Sequence, residues 1–361
     1  MIRLTRCLCP KPTVLSQCFP RKMYIGDPGK LELDKRSEPF SPIPSVSPKW
    51  GKAEDAFKSL KDGQVNPNVP ETGGDANIHS SHFDYLVYGT QPLHEMEQVE
   101  PNLDEIKVGR IISEELVEDG CTIEAGIGSI PQSVYRQLTN HQNLGIHTEM
   151  FSDSLVDLAS LGIITNAYKT IRPGKVVASF VVGTRKAFDF VDNNPLVDMC
   201  DIEWVAAPET IARNPKPTSI NTCLAIDLTG QVTCDSIGNY IYSGVGGIVD
   251  FMRGAAISVD GKGKPILGIT SRTRKGEPKI VPMLKPATGV VITRAHVHYV
   301  VTEYGIAYLF GRNLRQRAYS LIQIAHPDDR YARPNLSHTI PNNENLERAA
   351  YENLKTMPSP D

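Results

Sequence analysis

Apolar positions along this chain fall into two regimes that change near Asn102. Before that point they are sparse. One helical period appears there, in "KAEDAFKSLKDG", with Ala53, Phe57 and Leu60 on one face and Gly63 as a stop. The flanking stretches "SEPFSPIPSVSPKWG" and "QVNPNVPETGGDANIHSS" are rich in Pro, Ser, Gly and Asn and read as extended connections. After Asn102, helical and strand periods alternate. "LDEIKVGRIISEELVEDG" sets Ile106, Ile111, Ile112 and Leu116 at helical spacing and stops at Gly120. "CTIEAGIG" predicts a strand running into a glycine turn, and "PQSVYRQLTNH" a helix opening on Pro131. "NLGIHTEM" predicts one strand. "SDSLVDLASLG" predicts a helix with Ser152 or Asp153 as N-cap and Gly162 as stop. "KVVASFVVG" is a β-branched run, followed by the helical "TRKAFDFVDNNP". "TCLAIDL", "KPILGIT", "GVVITRAHVHYVVTEYG" and "NLRQRAYSLIQIAH" continue the mixture. Such alternation predicts an α/β fold over residues 101–330, an open, largely parallel sheet flanked by helices. An irregular N-terminal leader precedes it and a polar tail, residues 331–361, follows.

Composition narrows the classes. The net charge of −3 gives no basic surplus for nucleic acid and no acidic tail. No apolar run reaches the length needed to span a bilayer. The seven cysteines are odd in number and match no zinc or redox spacing, so they read as reduced, mostly buried thiols. The first 26 residues carry Arg3, Arg6, Lys11, Arg21 and Lys22 and no acid before Asp27. A basic, acid-free start of this kind has the character of a mitochondrial transit peptide and points to the matrix.

Three features bear on chemistry. In "EAGIGSIPQSV", Gly126 and Gly128 end a strand just ahead of a helix, so that backbone N–H groups open into a crevice at the sheet's carboxyl edge. A tight turn without a ligand has the same pattern, and the third glycine of the dinucleotide fingerprint is missing. In "YSGVGGIVDFMRGA", Gly244, Gly246 and Gly247 let backbone approach a ligand or a neighbouring chain segment. Glu149, at the end of "LGIHTE", stands where α/β proteins place their chemistry, ahead of a helix whose dipole favours the ionised carboxylate. The residues alone leave it open whether Glu149 is a nucleophile or a surface acid at a helix start. His296, His298 and His326 lack a carboxylate or cysteine at ligand spacing and read as structural, with no metal. Glu303 and Arg312 read as an ion pair.

Taken together, "SHFDYLV", "GIGSIP", "LGIHTEMFSD", "KPTSINTCLAIDLTGQVTCDSIG", "YSGVGGIVDF" and "VHYVVTEYGIAYL", in this order, resemble the acetyl-CoA hydrolase/transferase family over roughly residues 80–330. The resemblance implies a CoA-transferase that uses acyl-CoA and small carboxylates as substrates, with no permanently bound cofactor. Homo-oligomers are compatible with it. It makes Glu149 the residue that attacks the acyl-CoA thioester and then carries CoA as a glutamyl thioester. It assigns the oxyanion to backbone N–H groups around Gly126, Gly128, Ser129 and Ile130. It brings Asn221, Gly244, Gly246 and Gly247 to the thioester and pantetheine arm.

The chain departs from the family pattern at several places. Glu124 stands where glutamine is usual, Ser129 where glycine is, Ile248 where glutamine is and Tyr308 where aspartate is. The resemblance also implies two α/β domains of similar build with the active site between them. Against that pattern residues 27–100 read as a linker with a remnant of the first domain, and residues 101–330 as the C-terminal catalytic domain.

Overall fold

The structure is a computed structural model. It describes residues 62–330, except 84, 97 and 98, together with the short strands Leu4–Thr5 and Lys49–Trp50. The helical pattern at Ala53–Leu60, most of the basic start and the tail after Arg330 lie outside the described residues. The chain divides into two compact units.

The first unit comprises Met1–His94 with Val191–Asn194. Its strands form a four-stranded sheet in the order Leu4–Thr5, Asp62–Val65, Tyr85–Tyr88, Lys49–Trp50. Val69 and Leu86 are buried. Residues 191–194 belong to this unit because Glu71 binds them from both sides: its N–H donates to Asp192 and its carbonyl accepts from the Asn193 N–H.

The second unit, Glu95–Phe190 with Pro195–Asp361, is the predicted α/β body. Its six main strands are β1 (Thr122–Ala125), β2 (Gly145–Ile146), β3 (Pro217–Thr222), β4 (Lys264–Gly268), β5 (Tyr299–Thr302) and β6 (Gly305–Tyr308). They lie in the order β2-β1-β3-β4-β5-β6, all neighbours parallel except the β5–β6 hairpin. The connection from β1 runs to one side and the next main strand lies on the other. The order therefore reverses between β1 and β3, which opens a crevice beyond their carboxyl ends.

Helices α1 (Leu103–Glu115) and α2 (Ser129–Gln137) cover one face. A side chain at Gly268 of β4 would run into Ile130, Ile112 and Val108 of these helices. Gly109 fixes their crossing, since a Cβ there would stand 2.3 Å from Ser133 Oγ. Leu267 points to the opposite face, because neighbouring strand residues alternate. There it joins a core with Met252 of α4 (Ile248–Ala256) and Leu321 of α5 (Leu314–Ile324); α3 (Asp153–Ser160) lies between α2 and α4 in sequence. Asn102 with Glu105, and Asn313 with Gln316, close capping boxes on α1 and α5.

Several local expectations are corrected. "NLGIHTEM" is not one strand. The Ile146 N–H donates to the Asn166 side chain and its carbonyl accepts from Lys169, which occupies the outer edge of β2, and the His147 N–H makes the last bond to β1, at the Ile123 carbonyl. Met150–Phe151 begins a new parallel pair with Phe180–Val181. "KVVASFVVG" splits in the same way at Ser179, because Val176–Ala178 pairs with Val197–Met199 instead. The helix expected from Pro131 starts two residues earlier, at Ser129. Ser152 is the N-cap of α3, without a side-chain bond, whereas the Asp153 carboxylate accepts from the N–H groups of Thr184 and Ala187 and so serves the next helix, Arg185–Val191. Glu303 does not pair with Arg312; it accepts from the Ser271 N–H and hydroxyl. Cys121, Cys200 and Cys223 are buried and Cys234 half-buried.

Candidate active site

Glu149 sits in the gap between β2 and the Met150–Phe151 strand, one residue before the chain re-enters sheet pairing. Its carbonyl oxygen accepts from both the Ser179 and Phe180 N–H groups, which fixes its backbone. Its side chain is half-buried and accepts from the backbone N–H of Gly247, the N-cap of α4. The helix terminus it meets is thus that of α4, not of the segment that follows it in sequence. Gly247 must be small: a Cβ there would stand 2.6 Å from Glu149 Oε2 and 3.4 Å from the Phe251 ring. A helix dipole alone favours the ionised carboxylate. Instead burial pushes its pKa upward, the Gly247 N–H opposes the shift and Asp250 adds to it. A more basic carboxylate, once ionised, is a better nucleophile.

The glycine turn lies between the end of β1 and α2. Gly128 has φ +138°, a conformation open only to glycine, and it precedes the first turn of α2. Because Pro131 has no N–H, the Ser129 and Ile130 amides are the first-turn donors with no helical acceptor. Ser129 is half-buried, and Ile130 is buried against β4, so only its backbone can serve a ligand. Gly126 is required for a different reason. A Cβ there would stand 2.7 Å from Asn221 Oδ1, so the Asn221 amide lies directly over the turn.

Asn221 and Ser219, on β3, both donate to Glu124 Oε2 on β1, at 2.9 and 2.7 Å. Glu124 is buried, and its pKa is pushed up to about 8, mainly by desolvation, with the neighbouring Glu149 charge adding to it and the two hydrogen bonds opposing it. Sequence reading noted Glu124 only as a departure from pattern. Ser219 was missed, although alternation along "PTSINT" places it on the same side as Asn221.

The loop before α4 completes the site on one side. Gly247 touches Glu149, whereas Gly244 and Gly246 have no atoms within 4 Å of a Cβ position and face open space. Tyr240, Ile241, Tyr242 and Val245 beside them are exposed. The histidines do not converge: His296 meets Arg253, His298 packs on Phe310 and His326 on Tyr304. Among the described residues no three His, Cys, Asp or Glu side chains are grouped to hold a metal, and no helix is long and apolar enough to cross a membrane.

Residues 183–335 match the family model of the acetyl-CoA hydrolase/transferase C-terminal domain. The chain is 62% identical over 297 residues to the succinyl-CoA:acetate/propanoyl-CoA:succinate CoA transferase of Fasciola hepatica, covering 82% of this chain and 59% of that protein. It is 46% identical to the 4-hydroxybutyrate coenzyme A transferase of Clostridium kluyveri, covering 73% of this chain and 61% of that protein. The crystal structure of 4-hydroxybutyrate CoA-transferase from Porphyromonas gingivalis superposes with a TM-score of 0.64 at 36% identity, covering 80% of this chain and 70% of that one. The chain thus spans about three fifths of the length of these two curated relatives. The family-model match, the sequence identity and the structural superposition establish that the chain belongs to the acetyl-CoA hydrolase/transferase family.

Proposed function

We propose that this chain transfers CoA from an acyl-CoA, acetyl-CoA in the first instance, to a carboxylate such as succinate, with Glu149 as the nucleophile. The observation that carries this reading is the Glu149 carboxylate itself. It is half-buried, made more basic by burial, and held by the Gly247 N–H at the head of α4. In the first step a Glu149 oxygen attacks the thioester carbon, the C–S bond breaks, and CoA thiolate leaves with the electron pair. The product is an acyl-glutamyl anhydride. The thiolate then attacks the glutamyl carbonyl, releasing the donor's carboxylate and leaving a glutamyl-CoA thioester. The acceptor carboxylate reverses both steps and departs as the new acyl-CoA. No net proton is exchanged, and the thioester needs no metal for activation. The Ser129 and Ile130 amides would receive the oxyanion of each tetrahedral intermediate. Asn221 and the loop Gly244 to Gly247 would meet the thioester and pantetheine arm.

Incubating the purified chain with acetyl-CoA, with and without succinate, tests this reading by product analysis and intact mass. Succinyl-CoA together with a covalent CoA adduct on Glu149 is expected. Glu149→Gln should lower the rate at least about 10³-fold, as loss of a nucleophile does. Free CoA formed without acceptor would make the chain a hydrolase. If no product and no adduct forms, the chain is a CoA-binding or interaction protein instead. The basic, acid-free start of residues 1–26 supports delivery to the mitochondrial matrix. Import of the full chain into isolated mitochondria, with removal of that segment, is the expected result.

A further inference from the structure

The buried carboxylates of the second unit are provided for in different ways. Asp198 has Arg172 and Lys175 beside it, and Asp227 accepts from the N–H groups of Thr229 and Gln231. Among the described residues Glu124 has only the neutral donors Ser219 and Asn221. The described groups facing it from other elements supply no positive charge. Tyr135 of α2 is kept neutral by burial, and His147 is held neutral by burial, its pKa lowered to about 4. Glu149 supplies a like charge, and Phe251 of α4 is apolar. A cavity of about 10 Å³ adjoins Glu124, lined also by Thr122, His147, Asn214, Ser219 and Phe251. Thr122 Oγ1, His147 Nδ1 and Asn214 Nδ2 have no protein partner. Apolar groups, Ile211, Pro217 and Ala255 among them, make up most of the remaining wall, and the space holds at most about one water beside the carboxyl.

We propose that Glu124 is a positioning residue of the acyl-CoA site, which fixes the Asn221 amide over the glycine turn and, by carrying a proton, keeps that turn free of negative charge. This rests on the CoA-transfer reading. Because Glu124 Oε2 takes the Asn221 Nδ2–H, the amide oxygen is left over Gly126 and presents an acceptor there. When Glu124 loses its proton, a second anion stands beside Glu149 and beside the oxyanion forming at the Ser129 and Ile130 amides. The intermediate is then disfavoured, so transfer slows as pH rises through about 8.

The test compares pH profiles of the wild type, Glu124→Gln and Ser219→Ala over about pH 6 to 9.5. The wild-type rate is expected to fall about tenfold or more between pH 7 and 9.5. Glu124→Gln removes this basic limb, and Ser219→Ala, which deletes a hydrogen bond favouring the ionised form, moves it to higher pH. An infrared difference spectrum between the pH extremes should show a protonated carboxyl that is lost at high pH and is absent from Glu124→Gln. The intact-mass adduct on Glu149 separates this proposal from the reading it rests on. An adduct with an unchanged basic limb in Glu124→Gln, or with no titrating carboxyl band, overturns the role of Glu124 alone; no adduct in the wild type overturns both. Should Glu124→Gln fail to fold, Ser219→Ala and the wild-type spectrum still decide the matter.

Discussion

At the scale of single residues the site is set by what glycines leave room for. Gly247 has φ −81° and ψ 0°, a helical conformation that alanine adopts freely. Gly247→Ala therefore introduces no backbone strain, only a methyl 2.6 Å from a Glu149 oxygen. The carboxylate must swing aside, and a displacement near 1 Å in a reacting group costs about 10²-fold in rate. We expect kcat to fall by about that factor while the melting temperature stays within a few degrees, read from steady-state kinetics and a thermal scan. A stable variant with wild-type kcat would show that Glu149 is not the reacting group. The need for glycine at 126, 128 and 247 was legible in the sequence, but its cause was not. Gly128 is dictated by its backbone angle, and Gly126 and Gly247 by the side chains of Asn221 and Glu149, which lie 95 and 98 positions away in the chain. The surroundings that shift the Glu149 pKa were not legible for the same reason. Local sequence indicated the dipole of the following helix, whereas burial raises the pKa first and Gly247 and Asp250 at the start of α4 act after it.

At the scale of elements, period and turn signals located β1, α3, β4 and the start of α1 well, whereas α1 ends at Glu115, ahead of the stop expected at Gly120. α1 begins on the Asn102–Glu105 box, and α3 ends at Gly162 with φ +73°. The breaks after Ile146 and at Ser179 were not legible, since Asn166 and Lys169 occupy the outer edge of β2, and the Glu149 carbonyl and competing strand partners divide the run at Ser179. An apolar run cannot show that a distant side chain will take its hydrogen bonds. The α1–α2 crossing gives a stability test on this scale. Gly109→Ala would place a methyl 2.3 Å from Ser133 Oγ and 2.9 Å from the Ser133 backbone carbon, so the helices must separate. Overpacking of this kind costs about 1–3 kcal/mol. Asn102→Ala, which removes only the cap of the same helix, should cost about 1 kcal/mol. Urea unfolding should show both losses. No loss from Gly109→Ala would mean that the helices do not cross at that contact.

For the whole molecule, two buried ionisable groups tie folding to pH with opposite signs. Glu124 binds its proton near pH 8 in the fold against an ordinary value of 4.5. Between those values the folded chain holds the extra proton. The stability it contributes is full below about 4.5 and is lost as pH rises through about 8. Lys169 is the mirror case. Its ammonium is buried and donates to the carbonyls of Ile146 and Lys175, and desolvation lowers its pKa from 10.5 to about 7. Between about 7 and 10.5 the unfolded chain holds the extra proton, so this contribution is full above 10.5 and is lost as pH falls through about 7. Added together, the two contributions are weakest between pH 7 and 8, where one has nearly gone and the other has barely begun. Urea midpoints measured at about pH 5, 7.5 and 10 should reveal the depression when variants are subtracted from the wild type. Glu124→Gln should flatten the fall on the acid side, and Lys169→Met the rise on the alkaline side. Lys169→Met also leaves two carbonyls without their donor, so its midpoints should drop at every pH, and the slope rather than the level reads the titration. Parallel curves for wild type and both variants would mean that neither group changes its proton on folding, and the charge pattern drawn here around the crevice would fail with them.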